Sequence, residues 1–388
     1  MNSQRYHYID FLRVIAIFLM FIFHVNMIFV SEENWHIKDE SNSNVLLEIN
    51  YWVSSFRMPL LFLVSGYVSS IILKKIGYKK FIQQRFKRLI IPTVLCTILI
   101  VSPQIYFENK LNGSTQTIAD FYLSLLEFKW YPEGSWHWLH LWFIPYLFLY
   151  NLITIPLVNL LSRKSNLDAS IIGKYGLLLI LSISIIPYTI LSLYYPETHD
   201  LINDYARHSL FIVFIIAGIF FERYPCLINL ISGNCRFFLK LAFLTTITIN
   251  LIRWNGIEPF DLVEVWIDHP YTYIYLFLQN VHSWLWVLVL IGYGRKYLDR
   301  ESALLTYANS AVYPFYILHQ TVIVIIGFYV VQTPDTVWSK YWFTFVISFI
   351  ICILVYDLFI KKYNLMRFIF GMKDLKNSHN TADTSTRA

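Results

Sequence analysis

Three ionisable residues in the first apolar segment have the types and spacing for chemistry inside a membrane. Asp10, Arg13 and His24 lie in a stretch from Tyr8 to Val30 that is otherwise almost wholly apolar. An arginine at membrane depth costs about 2.5–3.5 kcal/mol on insertion scales, so such residues usually serve a function. If the stretch is helical, Arg13 and His24 share one face about 16 Å apart along the axis, and Asp10 lies one turn before Arg13.

Two interpretations of this polar face are open on the residues alone. In the structural one, Asp10 and Arg13 form an ion pair at the cytoplasmic interface, and Arg13 extends toward the headgroups. His24 is then a buried histidine that bonds to a neighbouring helix. In the functional one, His24 lies toward the outer leaflet as a neutral imidazole and acts as a general base.

The second apolar segment adds an intramembrane arginine. Arg57 would lie at a depth similar to that of His24 if the two helices are antiparallel. It is followed by Pro59, which we expect to kink the helix, and by Ser65-Gly66, which permits close helix approach. Arg57 is either a structural partner or an anion and oxyanion site. We favour the second role, because its guanidinium offers a fixed fork of donors to a carboxylate or phosphate.

Arg85 and Arg88 stand at the cytoplasmic start of the third apolar segment. Clustered positive charge on that side is the ordinary topology signal of a membrane protein, and on the residues alone this interpretation is favoured. The functional alternative is a clamp for the phosphates of a nucleotide-bearing donor.

Two further histidines are candidates for the same site. His140 stands at the outer start of the fourth segment, where it would line an outer cavity. His319, in the ninth segment, is the main rival to His24 as the proton-handling group, although we favour a hydrogen bond that supports a neighbouring helix. His137 and His140 are three residues apart, but no carboxylate or cysteine is spaced to help them, so we expect no metal site.

Membrane helices are the elements that must position these residues. The 388-residue chain is 56% hydrophobic and 14% charged, whereas soluble domains carry about a quarter charged residues. Its apolar runs of about 20 residues do not alternate apolar and polar positions, which predicts an all-α polytopic fold. Ten segments can be drawn. They cover about 8–30, 45–73, 89–107, 138–161, 175–195, 207–221, 237–253, 271–293, 305–331 and 341–361.

Charge alternates between successive loops. The loops after the second, fourth, sixth and eighth segments are rich in Lys and Arg, whereas the intervening loops are acidic or mixed. The positive-inside rule therefore predicts that both termini are cytoplasmic. We expect residues 1–373 to form a single transmembrane domain and residues 374–388 to form a disordered tail. The net charge of +6 is modest and gives no reason to invoke nucleic acid.

In combination, these motifs resemble the acyltransferase-3 family of integral membrane enzymes, with matching segment order over about residues 5–365. The patterns that carry the resemblance are Tyr-x-Asp-x-x-Arg ending at Arg13, Arg-x10-His from Arg13 to His24, a Phe-Arg-Met-Pro helix around Arg57, Arg-x-x-Arg at Arg85 and Arg88, His-Leu-Trp-Phe from His140, and Tyr-x-x-His-Gln around His319. Within the family, the Phe-Arg-Met helix, the Trp35-His36 pair and the lack of a fused periplasmic domain are most similar to the branch that succinylates periplasmic glucans.

The resemblance implies a ten-helix enzyme of the bacterial inner membrane. It would move an acetyl or succinyl group from cytoplasmic acyl-CoA to a hydroxyl of an extracytoplasmic glycan or other envelope polysaccharide. By motif match, His24 would be the catalytic histidine, Arg13 its partner in organising the site, and Arg85 and Arg88 would serve acyl-CoA. Acyl-CoA would be a donor substrate, with no permanently bound cofactor.

The residues fit such a reaction. His24 would deprotonate the sugar hydroxyl, and Arg57 or a backbone amide near Ser65 would stabilise the oxyanion. An acyl-histidine intermediate is an open alternative. Arg57 is also our candidate partner for a succinyl carboxylate. We assign Asp10, Ser65, His140 and His319 to substrate binding. For Asp10, the open alternative is that it serves only as the partner of Arg13.

Two other classes of function compete with the enzyme. The first is a transporter or exporter of a glycan or anionic small molecule, which would need paired broken helices in two related halves. We find no such halves in the sequence. The second is a proton-coupled channel that uses His24 and His319. Tight binding of acyl-CoA that depends on Arg85 would support the enzyme alone.

Overall fold

The computed structural model describes residues 6–31, 34–163, 171–267 and 269–375. Within these ranges, ten helices are long and apolar enough to cross a membrane, which confirms the predicted all-α membrane fold. The predicted tail lies outside the described residues from position 376 onward. The helices, α1 to α10, are His7–Phe29, Asn44–Ile76, Tyr78–Leu111, Leu139–Leu161, Ile172–Tyr194, Tyr205–Arg223, Cys235–Leu262, Pro270–Tyr297, Ala303–Val330 and Val337–Ile360.

Helix α2 is broken near its middle rather than kinked at its proline. Its two parts are Asn44–Ser54 and Arg57–Ile76. Between them, Phe56 has φ −130° and ψ −15°, which is not helical. A proline ring clashes with the helical carbonyl four residues earlier, and four residues before Pro59 is Ser55. The predicted effect of Pro59 is therefore real, but the break falls at Ser55 and Phe56.

The chain forms two compact units, each assembled from separate parts of the sequence. The first comprises Met1–Ala16, Trp52–Phe81 and Leu149–Thr306. The second comprises Ile17–Tyr51, Ile82–Phe148 and Tyr307–Ala388. Helices α5 to α8 thus belong to the first unit, whereas α9 and α10 belong to the second.

Glycines let α2 and α6 pack closely in the first unit. A Cβ added to Gly66 would lie within 3 Å of the backbone of Ile215, and one added to Gly218 would lie within 3 Å of the backbone at Leu63. Only glycine tolerates such an approach, so the close contact predicted at Ser65-Gly66 is confirmed. Next to it, the ring of Phe62 stacks on Phe211 with centroids 4.5 Å apart.

Aromatic packing and a buried ion pair organise the second unit. The ring of Phe21 on α1 lies 5.4 Å from that of Phe315 on α9 and 5.1 Å from that of Phe345 on α10. In the loop after α1, Asp39 accepts a 2.6 Å hydrogen bond from Nζ of Lys340, and both side chains are buried. The loop is therefore fixed to the start of α10.

Candidate active site

Two of the predicted intramembrane histidines contact each other in the second unit. Nδ1 of His24 on α1 lies 2.8 Å from Nε2 of His319 on α9. His319 is fully buried, whereas His24 is half-buried. The ring of His140 completes a cluster of three, with its centroid 5.4 Å from His319 and 6.4 Å from His24. The structure thus brings together three residues that the sequence placed on separate helices.

A backbone carbonyl determines which nitrogens of this pair carry protons. Nδ1 of His319 lies 2.6 Å from the carbonyl oxygen of Tyr316, which can only accept. Nδ1 of His319 must therefore be the donor, and in the neutral ring Nε2 is the acceptor. His24 then donates from Nδ1 to His319 and carries its lone pair on Nε2. In this tautomer Nε2 of His24 carries the lone pair that a general base requires.

His140 is held by a similar arrangement of neutral groups. Its Nε2 donates to the carbonyl of Ile317 at 3.1 Å, so its Nδ1 accepts from Nε2 of Gln104 at 3.3 Å. The same Nε2 of Gln104 also donates to Oγ1 of Thr321 at 2.7 Å. The amide oxygen of Gln104, Oε1, accepts a hydrogen bond from Nε2 of Gln320 at 3.0 Å. These polar groups are buried, so each hydrogen bond replaces one lost to water.

A strained turn aims His140 into the cluster. Leu139, which precedes it, has φ +41°, in the left-handed region that a branched side chain rarely adopts. Nδ1 of His137 accepts a 2.8 Å hydrogen bond from the Leu139 amide and stabilises this conformation. We predicted no metal site at these two histidines. In the structure, His137 stabilises the turn, whereas His140 lies in the histidine cluster. Among the described residues, no three His, Cys, Asp or Glu side chains are placed to hold a metal ion.

The loop between α1 and α2 covers His24. The indole of Trp35 stacks on the His24 ring, with centroids 6.3 Å apart and planes 12° from parallel. The next residue, His36, hydrogen-bonds through Nδ1 to Glu108 at the end of α3. Glu108 also accepts a 2.7 Å hydrogen bond from the Tyr131 hydroxyl. Burial and this bond raise the pKa of Tyr131 well above its usual range, so Tyr131 remains the donor.

Arg85 and Arg88 lie at an irregular turn in α3, with Arg85 just before the turn and Arg88 inside it. Arg85 ends the helix Tyr78–Arg85, and a π-helical turn follows over Phe86–Ile90. Pro92 lies four residues after Arg88 and cannot donate to its carbonyl, which accounts for irregular hydrogen bonding here. Turns of this kind are frequent at functional sites. A role of the two arginines in binding a donor stays a prediction.

The other predicted site residues belong to the first unit. Oδ1 of Asp10 lies 3.8 Å from Nη1 of Arg13, which confirms the predicted ion pair. Arg57 opens the second part of α2, with its Nε and Nη1 atoms buried. Ser65 is half-buried further along the same helix. The catalytic and substrate-binding roles of these four residues stay predictions.

Sequence reasoning missed the groups that hold the histidines in place. Gln104 and Glu108 were not singled out, and neither was the carbonyl of Tyr316. A signal was available for Gln104, because a buried amide in an apolar helix must find a partner. Glu108 follows the predicted third segment, so its residue type alone did not distinguish it from other acidic loop residues. Nothing in a sequence identifies one backbone carbonyl among many.

Comparison with known proteins assigns the family. The acyltransferase-3 family, described as an acyltransferase domain, matches residues 6–357. Similar curated proteins include glucans biosynthesis protein C of Escherichia coli strain K12, of Escherichia coli O1:K1 / APEC and of Escherichia coli O139:H28 (strain E24377A / ETEC). Each is 24% identical over 393 residues, covering 97% of both chains. No solved structure matches significantly. The chain therefore belongs to the acyltransferase-3 family and is a multi-pass membrane acyltransferase.

Proposed function

We propose that the protein transfers an acetyl or succinyl group from cytoplasmic acyl-CoA to a hydroxyl of an extracytoplasmic glycan, with a glucan as the first acceptor to test. The acceptor class is supported by the name of its relatives, glucans biosynthesis protein C. We place the enzyme in the bacterial inner membrane with both termini in the cytoplasm. The alternation of basic and acidic loops supports this orientation.

The hydrogen bond between His24 and His319 is the observation that carries the proposal. A general base must hold a lone pair toward the proton it removes, and its other nitrogen must be oriented by a partner. The bond from Nδ1 of His24 to His319, and from His319 to the Tyr316 carbonyl, meets the second requirement and leaves the lone pair on Nε2, which supports the first. His319 thereby acts as a positioning residue, which adds to its predicted role in substrate binding.

The proposed reaction proceeds by direct transfer. Nε2 of His24 takes the proton of the acceptor hydroxyl, while the hydroxyl oxygen attacks the thioester carbonyl carbon. The tetrahedral intermediate then collapses and breaks the carbon–sulfur bond. The departing thiolate of coenzyme A takes the proton back from His24. An ester forms, a thiol is released, and His24 returns to its starting state.

Other residues have proposed roles around this step. Trp35 covers the His24 ring and would keep water from competing with the glycan. Arg85 and Arg88 would bind the phosphates of coenzyme A, since a guanidinium can donate to phosphate in a bidentate manner. Arg57 remains our candidate for an oxyanion or a succinyl carboxylate, on the basis of its residue type and position in the sequence.

Reconstituted protein tests the proposal. The full chain in lipid vesicles would be given acetyl-CoA or succinyl-CoA together with glucose oligosaccharides, and acylated sugars would be detected by mass spectrometry. We expect wild type to transfer at least one of the two acyl groups. His24→Ala should insert normally but show no transfer above background.

A buried histidine outside the cluster provides the matched control. His282 on α8 is also buried and hydrogen-bonds to Thr245 at 3.0 Å. His282→Ala should retain transfer, which separates a catalytic effect from the general cost of removing a buried imidazole. Full transfer by His24→Ala would refute its role as the base. Transport of an unmodified glycan without any acyl transfer would favour the exporter.

A further inference from the structure

The last residues that the structure describes fold back onto α3, at the predicted donor arginines. We name residues 361–375 the C-terminal strap, which contains the short helix Asn364–Ile369. Nε of Arg88 donates a 3.1 Å hydrogen bond to the carbonyl oxygen of Gly371 in the strap. About two turns further along α3, Sγ of Cys96 donates to the carbonyl of Ile369 at 3.6 Å. Two strap carbonyls thus bond directly to α3.

This contact requires a glycine at position 371. Gly371 has φ +64°, a conformation that residues with a Cβ rarely adopt. An added Cβ would lie 2.9 Å from both Pro92 Cγ and Tyr313 Cε1, and closer still to the carbonyl oxygen of Arg88. The strap backbone therefore passes too close to α3 and α9 to carry any side chain at this point.

Hydrogen bonds within the strap hold it in one shape. Nε of Arg367 donates to the carbonyl of Lys373 at 2.6 Å, and its Nη1 donates to the carbonyl of Lys361 at 3.2 Å. The amide of Leu375 donates to Oδ1 of Asn364 at 2.9 Å. Arg367 thus joins the two ends of the strap, and Lys373 is held two residues beyond the carbonyl that binds Arg88.

The strap is basic, and so is the part of α3 that it contacts. It contains four Lys or Arg residues and one acid, Asp374. Lys361 is engaged with Asp357 at 3.4 Å, whereas the side chains of Lys362 and Lys373 are exposed. Clustered cations and a guanidinium already fixed in orientation are what a phosphate group requires.

We propose that the C-terminal strap forms one wall of a phosphate-binding site for the donor, and that the Gly371 carbonyl positions Arg88 toward the phosphates of coenzyme A. A guanidinium held through Nε keeps its two Nη groups as a fork for phosphate. Lys373 supplies a second cation beside it. This inference rests on the proposed use of acyl-CoA. A lipid headgroup presents the same phosphate chemistry, so the test must separate the two sources.

Titration of coenzyme A into the purified full chain, in nanodiscs of phosphatidylcholine, tests the strap. Gly371→Ala should weaken binding on the order of tenfold, the loss expected when one charge-assisted contact is misplaced. Gly77→Ala is the matched control, because Gly77 also has a positive φ, +73°, but no neighbour within 4 Å of an added Cβ. Its binding should equal that of wild type.

A surface variant and kinetics complete the test. Lys373→Glu, at an exposed position, should also weaken coenzyme A binding and decides the matter if Gly371→Ala fails to fold. Both variants should raise KM for acyl-CoA while leaving KM for the glycan and kcat near wild type.

Three outcomes would contradict the proposal in different ways. If wild type binds coenzyme A and neither variant changes that binding, the strap proposal alone is overturned. If wild type does not bind coenzyme A, the proposal that acyl-CoA is the donor is overturned. Displacement of coenzyme A by phosphatidylglycerol at equal strength would assign the strap to lipid instead.

Discussion

Nδ1 of His24 lies 2.8 Å from Nε2 of His319, and this bond has a fixed direction because the other nitrogen of His319 donates to a carbonyl. The orientation of the proposed base is thus determined by a residue 295 positions later in the chain. His319 does not need to touch substrate to matter for the reaction.

Removal of this partner should slow the chemical step. We expect His319→Phe to lower kcat on the order of 100-fold, the lower end of what positioned acid–base groups contribute. His319→Gln should recover part of the rate, because its amide oxygen can accept the His24 proton. Single-turnover transfer at saturating acyl-CoA measures both. Equal rates in the two variants would show that His319 acts through packing alone.

Loss of the ring that covers His24 should let water compete with the glycan. Trp35 stacks on His24, so Trp35→Ala should raise hydrolysis of acyl-CoA relative to acyl transfer. Trp35→Phe retains a flat ring and should behave like wild type. The ratio of free acid to acylated glycan, measured by mass spectrometry, reports the effect. An unchanged ratio in the alanine variant would mean that Trp35 does not exclude water.

The buried ion pair of the second unit should respond differently to single and double substitution. Lys340→Met leaves the buried Asp39 carboxylate unpaired and should destabilise the fold by about 3–5 kcal/mol. Asp39→Leu combined with Lys340→Met removes both charges and should recover most of that loss. Unfolding in detergent measures each variant. Lys129→Met, which breaks an exposed pair with Glu127, is the control and should leave the unfolding midpoint unchanged.

Acidification should reduce the stability that Glu197, in the loop between α5 and α6, contributes to the fold. Partial desolvation of Glu197, whose side chain is 35% exposed, disfavours its charge. The guanidinium of Arg207 and a hydrogen bond from His199 outweigh this effect and hold the pKa of Glu197 at about 2. A carboxylate with a lowered pKa stabilises the fold fully above its ordinary pKa, 4.5, and loses that contribution as the pH falls toward 2. Glu197→Gln should reduce the pH dependence of unfolding midpoints measured across that range, and Asp200 in the same loop, whose pKa is also about 2, should account for part of the remainder. Glu133→Gln, at an exposed position in another loop, should keep the full dependence.

The fold was largely predictable because the bilayer imposes a length on each apolar run. All ten predicted segments correspond to helices of the structure. The bounds differ most at α3, which begins at Tyr78 although hydrophobicity alone places its start near position 89. Hydropathy detects the apolar part of a helix, whereas the backbone continues through the basic residues before it.

The histidine cluster was predictable in part. His24, His140 and His319 were singled out because polar groups are expensive in an apolar segment. Their pairing depends on how α1, α4 and α9 pack, which single-segment patterns do not contain. The break at Phe56 shows the same limit on a smaller scale, since Pro59 predicts a defect but its clash acts four residues earlier.

The last acceptor in the chain of bonds from His24 is the Tyr316 carbonyl, an uncharged group. A dipole of this kind fixes the geometry of a neutral imidazole well, but it compensates an imidazolium less than a full negative charge would. In the proposed reaction, the charge that His24 gains would be compensated mainly by the negative intermediate beside it. Such an enzyme would stay idle until donor and acceptor are both in place, which would limit wasteful hydrolysis of the donor.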